Sequence, residues 1–206
     1  MSQYFEIHPL NPQIRLIRRA VEILREGEVI AYPTDSSYAL GCLMGNKSAM
    51  ERIRQIRRVD DSHNLTLVCR DLSEIATYAK VDNVAYRLLK ALTPGPYTFI
   101  LPATHEVPRR LQHPKRKTIG VRVPDHRIAQ ALLEELGEPL MSATLMLPGH
   151  ALPETDPNEI RARLEHEVGL VIDGGACSPD PTTVVDLTGG SPEIRREGRG
   201  SVDVLQ

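Results

Sequence analysis

A chain of 206 residues with 41% hydrophobic and 25% charged residues holds enough apolar material to bury a sizeable core unaided, which predicts one domain over residues 1–206. With no Trp, two Phe and six Tyr, it lacks the rings for a wide stacking platform on single-stranded nucleic acid. The formal net charge of -2 excludes no partner class, but the charge is unevenly placed.

Tyr4 to Ile7 alternates and reads as an edge strand. Asn11 and Pro12 read as an N-cap and first helical residue, and Ile14, Ile17, Val21 and Leu24 recur at helical spacing up to Gly27. Val29 to Tyr32 is an apolar run fit for a buried strand. It breaks at Pro33 into Thr34, Asp35, Ser36 and Ser37, which make either a turn or the hydroxyl-bearing edge of a site. Ser48 with Glu51 predicts a capping box, followed by a helix with Met50, Ile53 and Ile56 on one face and arginines on the other.

Leu65 to Cys69 reads as a strand, Asp71 with Glu74 as the start of a short helix, and Asp82 as the cap of a helix through Leu92. Pro94-Gly95-Pro96 forces a turn into a strand from Tyr97 to Leu101. Thr118 to Val123 is a further strand. Asp125 is the expected cap of a helix ending at Gly137, and Leu140 to Ser142 a brief strand. Asp156-Pro157 opens a last helix, and Leu170 to Asp173, Thr183 to Leu187 and Val202 to Leu205 complete the strands. Helices alternate with strands before a strand-rich end, which predicts an α+β fold with a mixed parallel and antiparallel sheet flanked by helices.

Two basic runs stand out: Arg52, Arg54, Arg57 and Arg58, and then Arg109, Arg110, Lys115, Arg116 and Lys117. They form either one positive surface facing a large anion such as nucleic acid, or solvated faces balanced elsewhere. Arg122 alternates with Val121 and Val123 and so points away from them; a mid-strand Arg requires an anionic partner, from a ligand or from a protein carboxylate. Gly174-Gly175 with Thr182-Thr183 gives either a plain turn or a close backbone approach to a ligand. Cys42, Cys69 and Cys177 are far apart with no C-x-x-C pair, so no zinc site is expected. Neither a signal peptide nor an apolar stretch of membrane-spanning length is present, and a soluble cytoplasmic protein without a membrane partner is the expectation.

Gly27 to Thr34, Pro94 to Pro102, Ile119 to Pro124 and Thr183 to Leu187, in that order, resemble motifs of the YrdC-like family, and most closely its YciO-type branch, across roughly residues 12 to 200. The resemblance implies a twisted mixed sheet around a deep, positively lined cavity, and binding of double-stranded RNA or tRNA. It also implies relatedness to threonylcarbamoyl-AMP synthases, which use threonine, bicarbonate and ATP with Mg²⁺ to make the adenylate passed to tRNA. Carried over, Thr34, Ser36, Arg122 and Thr183 take the threonine side of the site, and Arg57, Thr144 and Arg196 the nucleotide side. RNA then falls to Arg52, Arg54, Arg58, Arg109, Arg110, Lys115, Arg116 and Lys117, and no protein side chain is assigned to a metal.

Departures from the synthase pattern are specific. Its K-x-R motif is here Arg57-Arg58-Val59, and its Ser-Ala-Asn segment is Thr144-Leu145-Met146. A lost charge-assisted contact and a lost amide contact each cost about 1–3 kcal/mol of nucleotide binding. The resulting expectation is an RNA-binding protein with weak or altered threonylcarbamoyl-AMP synthase activity. Its rivals are a non-catalytic module for structured RNA and an enzyme for another carboxylate or nucleotide.

Overall fold

Alternation along the central strands decides which face of the sheet each side chain serves. In a computed structural model, which describes residues 1–206, these strands are β4 (Thr66–Val68), β5 (Tyr97–Pro102), β6 (Thr118–Arg122) and β7 (Leu140–Thr144). Leu67, Phe99, Val121 and Met141 turn to one face and join the larger apolar core. Helices α2 (Lys47–Arg57), α3 (Leu72–Tyr78), α4 (Asn83–Leu92) and α6 (Pro157–Leu164) pack there through Ile53, Ile75, Leu89 and Ile160.

On the other face, helices α1 (Ile14–Arg25) and α5 (Arg127–Leu136) bury Ile17, Leu24, Leu132 and Leu136 against Ile30, Val68, Leu140 and Ile172, forming a second core. The neighbouring part of that face carries Thr66, Thr98, Thr118 and Gly120 and is left open as the floor of a cavity. The remaining strands are β1 (Gln3–Glu6), β2 (Ile30–Tyr32), β3 (Ala39–Leu43), β8 (Leu170–Asp173), β9 (Thr183–Asp186) and β10 (Glu193–Arg196). All join one ten-stranded sheet in the order β1-β8-β2-β3-β7-β4-β6-β5-β9-β10. Pairs β1–β8, β2–β8, β4–β6 and β5–β9 are parallel and the others antiparallel, so the sheet is mixed.

Side-chain caps at Asp71, Asp82 and Asp156, and the left-handed Gly137 at φ 75° ending α5, agree with the sequence. Other boundaries move. Helix α1 begins at Ile14 after Gln13, because His8 Nδ1 accepts from the N–H groups of Leu10 and Asn11 and holds those residues in a turn. Asn46, not Ser48, caps α2, its Oδ1 accepting from Ala49 N at 2.9 Å. His126, not Asp125, caps α5, while the Asp125 N–H donates to Asp35 Oδ2 at 2.9 Å.

Strands β3 and β10 were not expected, and Val202 to Leu205 holds a single 3-10 turn rather than a strand. Gly41 in β3 is required by packing: a Cβ there would lie 2.8 Å from the Tyr32 ring across the hairpin. At the end of α2, Arg58 takes the left-handed conformation at φ 52° while Val59 N–H donates to Arg54 O at 3.0 Å, so the helix closes just beside the cavity.

Candidate functional site

The cavity over the open part of the sheet has a volume of about 450 Å³. Its lining includes Arg57, Arg116, Arg122 and Arg196, with His63 and His113, and no Asp or Glu. A concave site with guanidinium groups and no lining carboxylate is suited to an anion.

The hydroxyl loop after β2 and the end of β6 build one group of contacts. Arg122 Nη1 donates to Ser36 Oγ at 3.2 Å, and Arg122 Nη2 pairs with Asp35 Oδ1 just behind the lining. Thr34 Oγ1 donates to Ser37 O at 2.6 Å, so its contact with Ser36 Oγ at 3.0 Å is one in which Ser36 donates. Thr34 Oγ1 also accepts from Ser36 N at 3.1 Å. The Arg122 Nε is buried with no acceptor in the protein. Sequence left open whether Arg122 meets a protein or a ligand anion; it meets Asp35 and keeps its Nε without a partner.

Deeper in the floor, Ser142 Oγ donates to Leu40 O at 2.8 Å, so Tyr32 is the donor in its 2.8 Å contact with Ser142. Burial pushes the Tyr32 hydroxyl up to about 12, and it stays protonated. Cys177 donates to Thr34 O at 3.5 Å, and burial lifts its thiol to about 11, which removes it as a nucleophile near neutral pH.

A second group gathers around Arg57 and Arg196. Arg57 Nη1 lies 3.0 Å from His63 Nε2, and the Arg57 Nε is buried without a partner. Burial first, and then the charge of Arg196, lower the pKa of Arg57; burial alone lowers that of Arg196. Burial, followed by Arg57 and Arg54, lowers the pKa of His63, which keeps it neutral and able to accept from Arg57. Arg196 Nε and Nη2 clasp Thr182 O at 3.0 and 2.8 Å, and Nη2 also reaches Thr182 Oγ1 at 3.1 Å. Uncompensated guanidinium groups held this way favour a bound anion.

Thr34, Ser36, Arg122, Arg57, Thr144 and Arg196 all line the cavity, as does Met146. Thr183 does not. Its hydroxyl donates to Gly200 O at 2.6 Å and accepts from Gly198 N at 3.0 Å, because alternation turns it away and presents Thr182 instead. The two basic runs also divide. Arg116 lines the cavity, and Arg110 Nη2 reaches Gly45 O at 3.4 Å, which joins the second run to the loop before α2. Arg109, Lys115 and Lys117 are exposed, as is Arg58, while Arg54 is half-buried with its Nε unpartnered. Arg52 is on a different side of α2, ion-paired to Glu167 at 3.4 Å beside a second concavity lined by Glu28 and Glu165.

Sequence reading missed Thr66, Thr98, Ser142, His63 and Arg116 as lining residues. The strand residues carried a usable signal: Thr66, Thr98, Thr118, Ser142 and Thr144 put hydroxyls on one face of β4, β5, β6 and β7, where a sheet covered on both faces would be apolar. His63 carried none, since its place depends on how the loop after α2 folds back.

The Sua5/YciO/YrdC family model, described as telomere recombination, matches residues 22–198. YciO of Escherichia coli is 63% identical over 202 residues, 98% of each chain, and its crystal structure superposes with a TM-score of 0.96 over 100% of both chains at 62% identity. A threonylcarbamoyl-AMP synthase of Chromobacterium violaceum is 34% identical over 183 residues, covering 88% of this chain and 94% of the relative. Sua5 of P. abyssi complexed with L-threonine superposes with a TM-score of 0.88 at 27% identity, over 96% of this chain and 58% of Sua5. The chain belongs to the Sua5/YciO/YrdC family and is related to the threonylcarbamoyl-AMP synthases.

Proposed function

We propose that the cavity makes threonylcarbamoyl-AMP more slowly than a full synthase does, and that the exposed basic residues beside it hold double-stranded RNA or tRNA. The carrying observation is a lining without carboxylates that joins the Arg122 hydroxyl loop to the Arg57–Arg196 pair. Threonine, bicarbonate and ATP would yield the adenylate, pyrophosphate and water. The threonine amine adds to bicarbonate with loss of water to give the carbamate, whose oxygen then attacks the α-phosphorus as pyrophosphate leaves, a displacement that needs positioning and charge stabilisation more than a strong base.

In this reading Arg122 holds the threonine carboxylate, and Arg57 and Arg196 hold phosphates with Thr144 beside them. The chain has no group of three or more His, Cys, Asp or Glu arranged to hold a metal ion. Mg²⁺ would therefore fit as the counterion of ATP, held by phosphates and water while the protein grips the phosphate oxygens. Slowness is supported by Met146, which lines the cavity at the segment where the synthase pattern has Asn.

The test is pyrophosphate release from threonine, bicarbonate and Mg-ATP. Turnover is expected above that of a Thr34→Ala, Arg122→Ala double variant and below that of a full synthase. Turnover equal to the double variant overturns the enzyme reading and leaves a structured-RNA module. For the RNA part, affinity is expected to fall steeply with salt, as counterion release requires; salt-insensitive binding overturns it.

His63 gives a pH signature. Its folded pKa lies below the ordinary value of 6.5, so the unfolded chain takes up its proton first as pH falls. Its contribution to stability is present above 6.5 and is lost as pH drops through that value toward the folded pKa. A phosphate beside it favours the imidazolium. ATP affinity is therefore expected to rise as the pH falls from about 7.5 to about 6. His63→Gln should flatten that dependence, measured by titration calorimetry at fixed ionic strength.

A further inference from the structure

The ion pair behind the hydroxyl loop fixes more than the position of an arginine. Asp35 and Arg122 have side chains only 10% and 8% exposed. Asp35 spans two elements, pairing with Arg122 Nη2 through Oδ1 and accepting the Asp125 N–H through Oδ2 at 2.9 Å. The hydroxyl protons of Ser36 and Thr34 are both committed: Arg122 Nη1 donates to Ser36, Ser36 to Thr34, and Thr34 to Ser37 O. Ser36 and Thr34 therefore have no free proton to offer a ligand. Arg122 keeps donors here, its unpartnered Nε among them.

We infer that Asp35 is a positioning residue that sets the charge type this part of the cavity accepts. With Asp35 in place the Arg122 pair is neutral overall, so a ligand carboxylate on the guanidinium must bring its own positive charge. A zwitterionic amino acid does so. A small dianion brings a second negative charge next to the buried Asp35 carboxylate and is disfavoured unless that charge reaches Arg57 or Arg196, as the carbamate of the proposed reaction must. Without that carboxylate Arg122 carries a net positive charge and the preference reverses. This inference rests on the amino-acid reading of the Arg122 group, and it concerns selection among ligands rather than turnover.

The test measures threonine and malonate binding, by calorimetry and by melting temperature, to the full chain and to Asp35→Asn. Removing one charge-assisted contact is worth on the order of tenfold. Threonine affinity is expected to fall by about that factor while malonate affinity rises, with the gain absent in Asp35→Asn, Arg122→Ala. Asp35→Glu keeps the charge and is expected to retain the preference for threonine. Equal losses for both ligands in Asp35→Asn, or a malonate gain that survives loss of Arg122, overturn the inference. If Asp35→Asn does not fold, Asp35→Glu decides: a malonate preference in that variant overturns the inference. If the wild-type chain binds no threonine, the synthase reading fails by itself, and the inference is then judged on whether Asp35→Asn creates malonate binding at Arg122.

Discussion

Arg122→Met is expected to cost about 3–5 kcal/mol of stability and to abolish any rise in melting temperature caused by threonine. The side chain is nearly buried, and its removal leaves Asp35 Oδ1 as a buried carboxylate oxygen without a cation and Ser36 Oγ without its donor. Breaking one partner of a buried pair costs more than the pair contributes, because the survivor keeps its desolvation penalty. For a chain of this size the melting temperature should fall by on the order of 10 °C. The double variant Asp35→Leu, Arg122→Met removes the orphaned charge and should recover a large part of that loss. Urea denaturation of the single and double variants reads both numbers. A single variant as stable as wild type would show that Asp35 and Arg122 are independently solvated.

The same pair shows where the sequence was legible and where it was not. Alternation in β6 correctly sent Arg122 to the face opposite Val121 and Val123, and the break after β2 does bring Thr34 and Ser36, both buried, to the cavity lining. Local rules could not supply Asp35 as the partner of Arg122, since the two are 87 positions apart and meet only when the sheet assembles. Thr183 failed for a different reason. The Thr182-Thr183 pair offers two hydroxyls, and strand phase allows only one to face the cavity; the register of Thr183 opposite Tyr97 in β5 decides which. The caps at Asn46 and His126 were missed because stronger-looking candidates, Ser48 and Asp125, lay within two residues.

The two basic runs do not stay together in the fold. The first basic run wraps around α2, so a turn of helix carries Arg52 to the side of Glu167 while Arg57 reaches the cavity. Arg110 and Arg116, although distant in sequence, come back to the loop before α2 and to the cavity respectively. The cationic groups gathered at and beside the cavity thus come from the end of one run and from Arg110 and Arg116 of the other. Arg52 stands outside this group, so Arg52→Ala should leave RNA affinity almost unchanged, while Arg116→Ala should weaken it.

Gly120→Leu separates the cavity from the fold. Gly120 lies in mid-strand, paired with Thr66 and Ile100, and lines the floor. A Cβ there meets Thr98 Cγ2 at 3.5 Å and Thr66 Oγ1 at 3.6 Å, ordinary contact distances, so nothing in the packing requires glycine. Glycine in a strand is also unfavourable by roughly 0.5–1 kcal/mol relative to alanine, and stability is expected to hold or rise. The rest of a leucine side chain has only the cavity to occupy. Pyrophosphate release should fall by on the order of a hundredfold, the scale set by misplacing reactants by about 1 Å, and the thermal shifts from threonine and ATP should shrink with the lost affinity. Gly120→Ala, which adds only the tolerated Cβ, should retain most of the activity. RNA affinity should persist in both variants, because Lys115 and Lys117 are exposed outside the floor. Unchanged turnover in a folded Gly120→Leu protein would place the chemistry away from this face of the sheet, since a reaction over the floor has no route around a leucine standing on it.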